Sequence, residues 1–443
     1  MNRIFIEDLK NHIDSEVTVQ GWVDVRRDHG KLIFIDLRDM TGKVQMVALP
    51  NHEDAHKLAE TVRPEWVVSV TGKVNARPER MVKEGELNGE LEIEVLSIEV
   101  LSEASELPFE KDAEVNLDTY LDYLPLTLRT KRGQDIFKVQ ATIVEAFRDS
   151  MRNKKFIEFQ SPGLVAGDAE GGAEVFEIPY FNEKTAYLAT SPQFYKQIMV
   201  GVHERVFTTP RAFRAEKHAT TRHLNEYITL DCEFGFIKDH TDVMDVHEQV
   251  IKDIVSSVTN EHSKILEVFE VETPLVPEKF PVMKLREAQE LIKKETGKDK
   301  TNEPDLEPED ERFLCEYSRK NLGSDFIFIT HYPVSKRPFY TYEDEEDLGF
   351  TKGFDLLYRG VEITTGGQRI HNHDKLVENM KKWKLDPEKF SYYLQTFKYG
   401  MPPHGGCATG LERLTQKFLG LASVKEATLF PRDINRIDKR LSE

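Results

Sequence analysis

The amino-acid sequence predicts an α+β protein: a small N-terminal five-stranded β-barrel, then a larger domain built on an antiparallel sheet flanked by helices. Three observations carry this reading. Residues 1–105 hold five short β-branched runs with one helical interruption. Residues 131–443 mix long amphipathic helices with strands, without the regular βαβ alternation of a parallel sheet. Between them, residues 106–130 are acidic and irregular and read as a hinge.

Each element has its own signal. EVTVQGWVDV, KLIFIDLRD, KVQMVAL, WVVSVTGKV and LEIEVLSIEVL are β-rich and bounded by polar turns. HEDAHKLAETV, between the third and fourth, has the apolar spacing of a short helix. Five strands with a helix after the third match the layout of an OB-fold barrel, a pattern other small barrels share. Beyond the hinge, Ile136, Val139, Ile143 and Phe147 recur at helical spacing in a long helix from about Asp135 to Met151. It feeds the strand FIEFQSP, closed by Pro162. RVFTTPRAFRAE, EYITLDCEFGFI and FDLLYRGVEITTGG read as strands, and HDKLVENMKKW and LERLTQKFLG as helices. The polar residues 284–322 read as a surface helical insertion.

Composition narrows the function classes. The 443 residues allow a large core, and 39% hydrophobic with 10% aromatic residues excludes disorder, collagen or coiled coil as the main state. Cys232, Cys315 and Cys407 are far apart, which disfavours a disulfide scaffold and a cysteine-rich zinc site. No run approaches a membrane span, and the N-terminus carries acids where a signal peptide needs an apolar run. These features predict a cytoplasmic globular protein. A formal charge of −18 rules out recruitment of nucleic acid by the overall field. Residues 1–50 are nearly neutral, however, so local polyanion binding there stays open.

Three segments carry chemistry. In FRAEKHATTRHLNEY (213–227), Arg214 and Glu216 lie two apart and so share a strand face, and Arg222, His223 and Tyr227 follow on the return. Arginine forks grip phosphates bidentately and a neighbouring ring stacks on a base, so the set suits a nucleotide. An exposed charged hairpin tip is the bland alternative. In GGCATGLERL (405–414), glycines lead into an apolar helix through Glu412 and Arg413. In YRGVEITTGGQRI (358–370), Glu362 and Arg369 flank two glycines, with Asp355 just upstream. Carboxylates beside a phosphate fork are plausible Mg²⁺ ligands.

Their order along the chain resembles motifs 1, 2 and 3 of the class II aminoacyl-tRNA synthetases. The N-terminal barrel resembles that of the subgroup handling aspartate, asparagine and lysine. SPQFYKQ (191–197), EITTGGQRIH (362–371) and KYGMPPHGG (398–406) are similar to the short, archaeal-like aspartyl-tRNA synthetases, whereas GWVDVRRDHGKLIFIDLRD looks more bacterial.

The resemblance implies ATP as a substrate, Mg²⁺, and tRNA(Asp), with tRNA(Asn) open as a second acceptor. Arg214 would hold the α-phosphate and stabilise the transition state, and Glu216 would contact ATP or the tRNA's terminal adenosine. Arg222 and His223 would take the outer phosphates, with Tyr227 and Arg413 enclosing the adenine. Asp355, Glu362 and Thr365 would ligate Mg²⁺. Glu170 and Asp231 would attract the ammonium of L-aspartate, with Gln193 nearby, and Lys196 and Arg369 would take its side-chain carboxylate. In the barrel, Arg26, Phe34 and Gln45 would read the anticodon, with Arg27 and Lys31 near phosphates or the first base. Periodicity by itself puts Phe34 in the barrel core, and the resemblance reverses that. The long helix would form a homodimer interface; an ordinary core helix would bury the same stripe. Cys407 and Ala408 depart from the usual third motif. The rivals are an asparaginyl-tRNA synthetase and a non-catalytic tRNA- or nucleotide-binding relative.

Overall fold

The computed structural model describes residues 2–85, 87–111, 113–167, 174–217 and 220–441. It divides into two compact units, Met1–Ala113 and Glu114–Glu443. In the first, β1 (Glu16–Asp28), β2 (Ile33–Arg38), β3 (Lys43–Ala48), β4 (Val67–Ala76) and β5 (Leu91–Ser102) close into a barrel of order β1-β2-β3-β5-β4. Helix α1 (Glu53–Thr61) follows β3, as the sequence predicts. The alternating set Val17, Val19, Ile33, Ile35, Leu37, Val44, Met46, Val68, Val70, Ile93 and Val95 fills the interior. At Gly21 a Cβ would lie 2.2 Å from the Arg38 carbonyl oxygen, so the strand approach there requires glycine. Trp66 donates from its indole nitrogen to the Ala104 carbonyl, and Lys111, in the segment expected to be a hinge, ion-pairs with Asp24 of this unit.

The second unit is built on helix α2 (Lys131–Asn153), β6 (Ile157–Glu158), α3 (Gln193–His203), β7 (Arg205–Thr208), β8 (Arg211–Phe213), β9 (Glu226–Gly235) and α4 (His240–Val268). These lead to β10 (Val282–Lys284), α5 (Leu285–Thr296), α6 (Pro308–Tyr317), β11 (Phe326–Thr330), β12 (Gly353–Tyr358), β13 (Val361–Arg369), β14 (His404–Gly410) and α7 (Leu411–Phe418). The sheet runs β10-β11-β12-β13-β14-β9-β7-β6, with β8 paired to β9. It is antiparallel through its centre and parallel in its two outermost pairs, β10–β11 and β7–β6.

Helices α2 and α4 pack on the core. Ile136, Val139, Ile143 and Phe147 of α2 share one buried cluster with Val250, Ile251 and Ile254 of α4 and with Leu230, Cys232 and Phe234 of β9. The stripe from which a dimer interface was expected is therefore consumed within the chain. Residues 284–322 hold the helices α5 and α6 joined by an irregular stretch, and the helices' apolar side is not at the surface. Leu285, Ala288, Ile292, Leu314 and Cys315 are buried with Ile327 and Ile329 of β11.

Candidate active site

Side chains alternate along a strand, so one face of β9 builds the core and the other is free for chemistry. Leu230, Cys232 and Phe234 go to the core, and Asp231 and Glu233 take the opposite side, both fully buried. A cavity of ≈ 360 Å³ opens beside β9, β13 and β14. It is lined by Arg214, Glu216, Arg222, His223, Tyr227, Asp231, Glu362, Thr365, Ala408 and Arg413, so residues almost two hundred positions apart meet in one hollow.

Strand pairing and loop hydrogen bonds place the arginines. Ala212 lies opposite Tyr227 in the β8–β9 register. The Arg214 guanidinium sits 5.7 Å from the Tyr227 ring centroid and 3.7 Å from the Glu216 carboxylate. Asn225 donates to the Arg214 and Glu216 carbonyls at 2.6 and 3.1 Å, pinning the two strand ends together. Arg222 donates to Glu311 of α6 at 3.1 Å and to the Gly360 carbonyl at 3.2 Å. Arg413 donates to the Glu362 carbonyl at 3.1 Å.

Asp231 joins this cavity to a buried charge cluster. Lys196 Nζ lies 2.8 Å from Asp231 and 3.5 Å from Glu233. Arg369 donates to Glu233 at 2.9 Å and to the Gly406 carbonyl at 3.0 Å, and Gln193 donates to Glu233 at 3.3 Å. Burial opposes charge on Lys196, but Asp231 and Glu233 outweigh it and hold the ammonium above the usual lysine range. Burial likewise works against the Glu233 carboxylate, and Arg369 followed by Lys196 pull it below its ordinary value. Two cations, Lys196 and Arg369, thus face two anions, Asp231 and Glu233, in a buried neutral quartet. Glu233, its hub, was not singled out from sequence; its signal is the spacing of two from Asp231 on a strand.

A third group lies on β12 and β13, where Asp355 stands opposite Thr365. Arg337 donates to Asp355 at 2.6 Å and to the Thr365 hydroxyl at 2.8 Å. Asp355 Oδ1 is buried without a hydrogen-bond partner among the described residues. Enclosure of the Glu362 carboxyl, and then the charge of Asp355, push it up to about 7. An orphaned carboxylate oxygen and a second carboxyl that resists ionisation fit Mg²⁺, which takes one or two carboxylates plus substrate oxygens. Thr365, the third expected ligand, lines the same cavity, and its hydroxyl accepts from Arg337. Among the described residues no three or more His, Cys, Asp or Glu side chains are grouped to hold a metal ion.

The two unusual motif residues separate by the same alternation. Cys407 is buried with its sulfur 3.6 Å from that of Cys232, whereas Ala408 lines the cavity. Glu170 lies outside the described residues.

In the barrel, Phe34 is half-buried and is not part of the interior cluster that holds Ile33, Ile35 and Leu37. Its ring meets His29 edge-on at 5.6 Å. Arg27 lies opposite Phe34 and forks onto Asp36 at 2.9 and 3.0 Å, and Gln45 lies opposite Asp36. Arg26 is not brought to this group. It lies opposite Ile35, and its guanidinium donates to the Glu60 carbonyl at 2.9 Å. Adjacent strand residues point to opposite faces, so Arg27 takes the place expected for Arg26.

Residues 17–101 match the model of the OB-fold nucleic acid binding domain, and residues 116–434 that of the tRNA synthetases class II (D, K and N). The chain belongs to the class II tRNA synthetases of this D, K and N group. Its relatives include the aspartate–tRNA(Asp/Asn) ligase of Thermus thermophilus, 44% identical over 98% of this chain and 99% of that protein. The aspartate–tRNA(Asp) ligase of Pyrococcus abyssi is 38% identical over 97% and 99%. Among solved structures, the asparaginyl-tRNA synthetase of Pyrococcus horikoshii with asparaginyl-adenylate superposes with a TM-score of 0.90 at 31% identity, covering 98% of this chain and 99% of that one. The aspartyl-tRNA synthetase of Entamoeba histolytica gives 0.86 at 28% identity, over 99% and 93%. Beside Glu233, this synthetase site contains Asn225, Glu311 and Arg337, none of which was singled out from sequence. Each acts on a residue far from it in the chain or on a backbone atom, which leaves no local pattern.

Proposed function

We propose that the protein is an aspartate–tRNA ligase that activates L-aspartate with ATP and transfers it to tRNA(Asp) and tRNA(Asn). The observation that carries this is Lys196, buried between Asp231 and Glu233 beside the nucleotide cavity. Aspartate brings one ammonium and two carboxylates. Its ammonium goes to Asp231, which frees Lys196 to join Arg369 on the side-chain carboxylate. Asparagine would leave that cation underpaired, a loss of roughly 1–3 kcal/mol per charged hydrogen bond. The Asp/Asn relatives at 42–44% identity support the wider tRNA range.

In the first step the aspartate α-carboxylate attacks the α-phosphorus of ATP, pyrophosphate leaves, and aspartyl-adenylate forms. Arg214 meets the charge developing on the phosphoryl oxygens, which is electrostatic catalysis by a preplaced cation. Tyr227 and Arg413 hold the adenine, Arg222 and His223 the outer phosphates, and Glu216 the adenosine side. Asp355 and Glu362 would hold Mg²⁺, which neutralises phosphate charge when bound. In the second step a ribose hydroxyl of the tRNA attacks the adenylate carbonyl and AMP leaves; no protein nucleophile takes part. Phe34, Gln45 and Arg27 form the anticodon-reading face of the barrel.

The protein is also proposed to act as a cytoplasmic homodimer. Strand β6 ends the sheet with Ile157 about half exposed, an edge that a second copy would cover. Among the described residues no helix is long and apolar enough to cross a membrane.

ATP–pyrophosphate exchange with aspartate, asparagine and lysine, followed by charging of separate tRNA(Asp) and tRNA(Asn), tests the reading. Exchange should be far stronger with aspartate, and both tRNAs should be charged. A preference for asparagine, the reading favoured by the likeness to the solved asparaginyl enzyme, would overturn it.

A further inference from the structure

The polar segment 284–322 meets a residue of the cavity wall, because Glu311 contacts Arg222. Glu311 stands on α6, whose Leu314 and Cys315 are buried against Ile327 and Ile329, so the helix is anchored on the sheet. From there its carboxylate accepts from Arg222 at 3.1 Å and from the backbone N–H of Glu362. The turn after β12 closes the other side. Gly360 adopts φ +83°, a Cβ there would lie 2.9 Å from Arg312 Cγ of α6, and its carbonyl accepts from the second Arg222 nitrogen at 3.2 Å. Arg222 comes from the loop between β8 and β9, so three segments remote in sequence converge on one guanidinium.

We infer that Glu311 is a positioning residue for ATP, holding Arg222 at the cavity wall and tying it to the strand that carries Glu362. The inference rests on the proposed function, in which Arg222 takes the outer phosphates. A guanidinium offers five N–H donors. Glu311 and Gly360 use donors on the two terminal nitrogens and leave the others for phosphate. The loss of arginine side-chain freedom has then occurred before ATP arrives, and preorganisation of this kind improves affinity without a new ligand contact. Glu311 contacts Arg222 and the Glu362 backbone and not the cluster of Lys196, Asp231, Glu233 and Arg369, so its effect falls on ATP.

The test uses the full chain with Glu311→Gln and Glu311→Ala, measuring pyrophosphate exchange while ATP and aspartate are varied in turn. Glu311→Gln keeps an acceptor for the Glu362 N–H but removes the charge. The KM for ATP should rise about tenfold, the factor expected from weakening one charge-assisted hydrogen bond. The aspartate KM, kcat and melting temperature should stay close to those of the parent. In an Arg222→Ala background, Glu311→Ala should add less than about twofold, because neighbours acting through one contact are non-additive. An unchanged or lowered ATP KM, a parallel rise in both KM values with a lower melting temperature, or full additivity with Arg222→Ala would overturn the inference. If the parent shows no aspartate-dependent exchange, the proposed function fails separately, and calorimetric ATP titration decides the point. Weaker binding by Glu311→Ala then supports it, and equal binding rejects it.

Discussion

Replacing Phe34 with alanine separates recognition by the barrel from its stability. A phenylalanine deep in a core costs roughly 3–5 kcal/mol when cut to alanine. Phe34 is half-buried, lies outside the cluster that fills the barrel, and meets His29 edge-on at 5.6 Å. Losing one such aromatic contact and part of the ring's burial should cost about 1 kcal/mol, which shifts the melting temperature of a domain this size by roughly 4–8 °C. A nucleobase stacked on the ring is worth about 1–3 kcal/mol, so kcat/KM for tRNA should fall roughly 5- to 150-fold. Pyrophosphate exchange involves no tRNA and should stay at the parent level. The assay is charging of tRNA(Asp) transcript beside exchange and a thermal melt of the same preparation. Unchanged charging, or a melt that collapses together with charging, would refute the assignment of Phe34 to an outward reading face.

Three further outcomes follow from the catalytic unit. Lys196→Leu leaves Asp231 and Glu233 buried with one cation between them, so it should lower stability by about 3–5 kcal/mol as well as abolish aspartate activation. Retained aspartate exchange with a normal melt would contradict the neutral quartet. His247 is pushed down to about 3 by burial and hydrogen-bonds Thr364 at 2.9 Å, so the native state keeps it neutral. The unfolded chain takes up that proton below about 6.5, so this group's share of stability is intact above that pH and is lost progressively as the pH falls toward 3. His247→Gln should therefore flatten the fall of unfolding free energy between pH 6 and 4 by up to about 1.4 kcal/mol per pH unit, read by denaturant titration across that range. Chelation of divalent cations should stop exchange, added Mg²⁺ should restore it, and Asp355→Asn should raise the Mg²⁺ concentration needed; activity indifferent to chelation would remove Asp355 and Glu362 from that role.

Alternation along β1–β5 is a local property, and the five strands and the helix after the third were legible in the sequence, whereas periodicity by itself put Phe34 in a barrel core that does not include it. The residues from Arg214 to Arg413 that line one cavity stand in compact motifs, which the sequence displays. The α2 stripe was legible as a stripe, but whether it faces a second copy or its own chain depends on what packs there, and α4 with β9 takes it. Arg26 and Arg27 are equivalent by composition; only the β1–β2 register decides that Arg27 stands with Phe34. That Arg337, 28 residues upstream, donates to the Thr365 hydroxyl has no local pattern. Glu233 and Glu311 were silent for the same reason. A carboxylate's role is set by the cation that burial brings against it, and those partners lie 37, 136 and 89 residues away. Periodicity decides which way a side chain points; the tertiary fold alone decides which charge it meets.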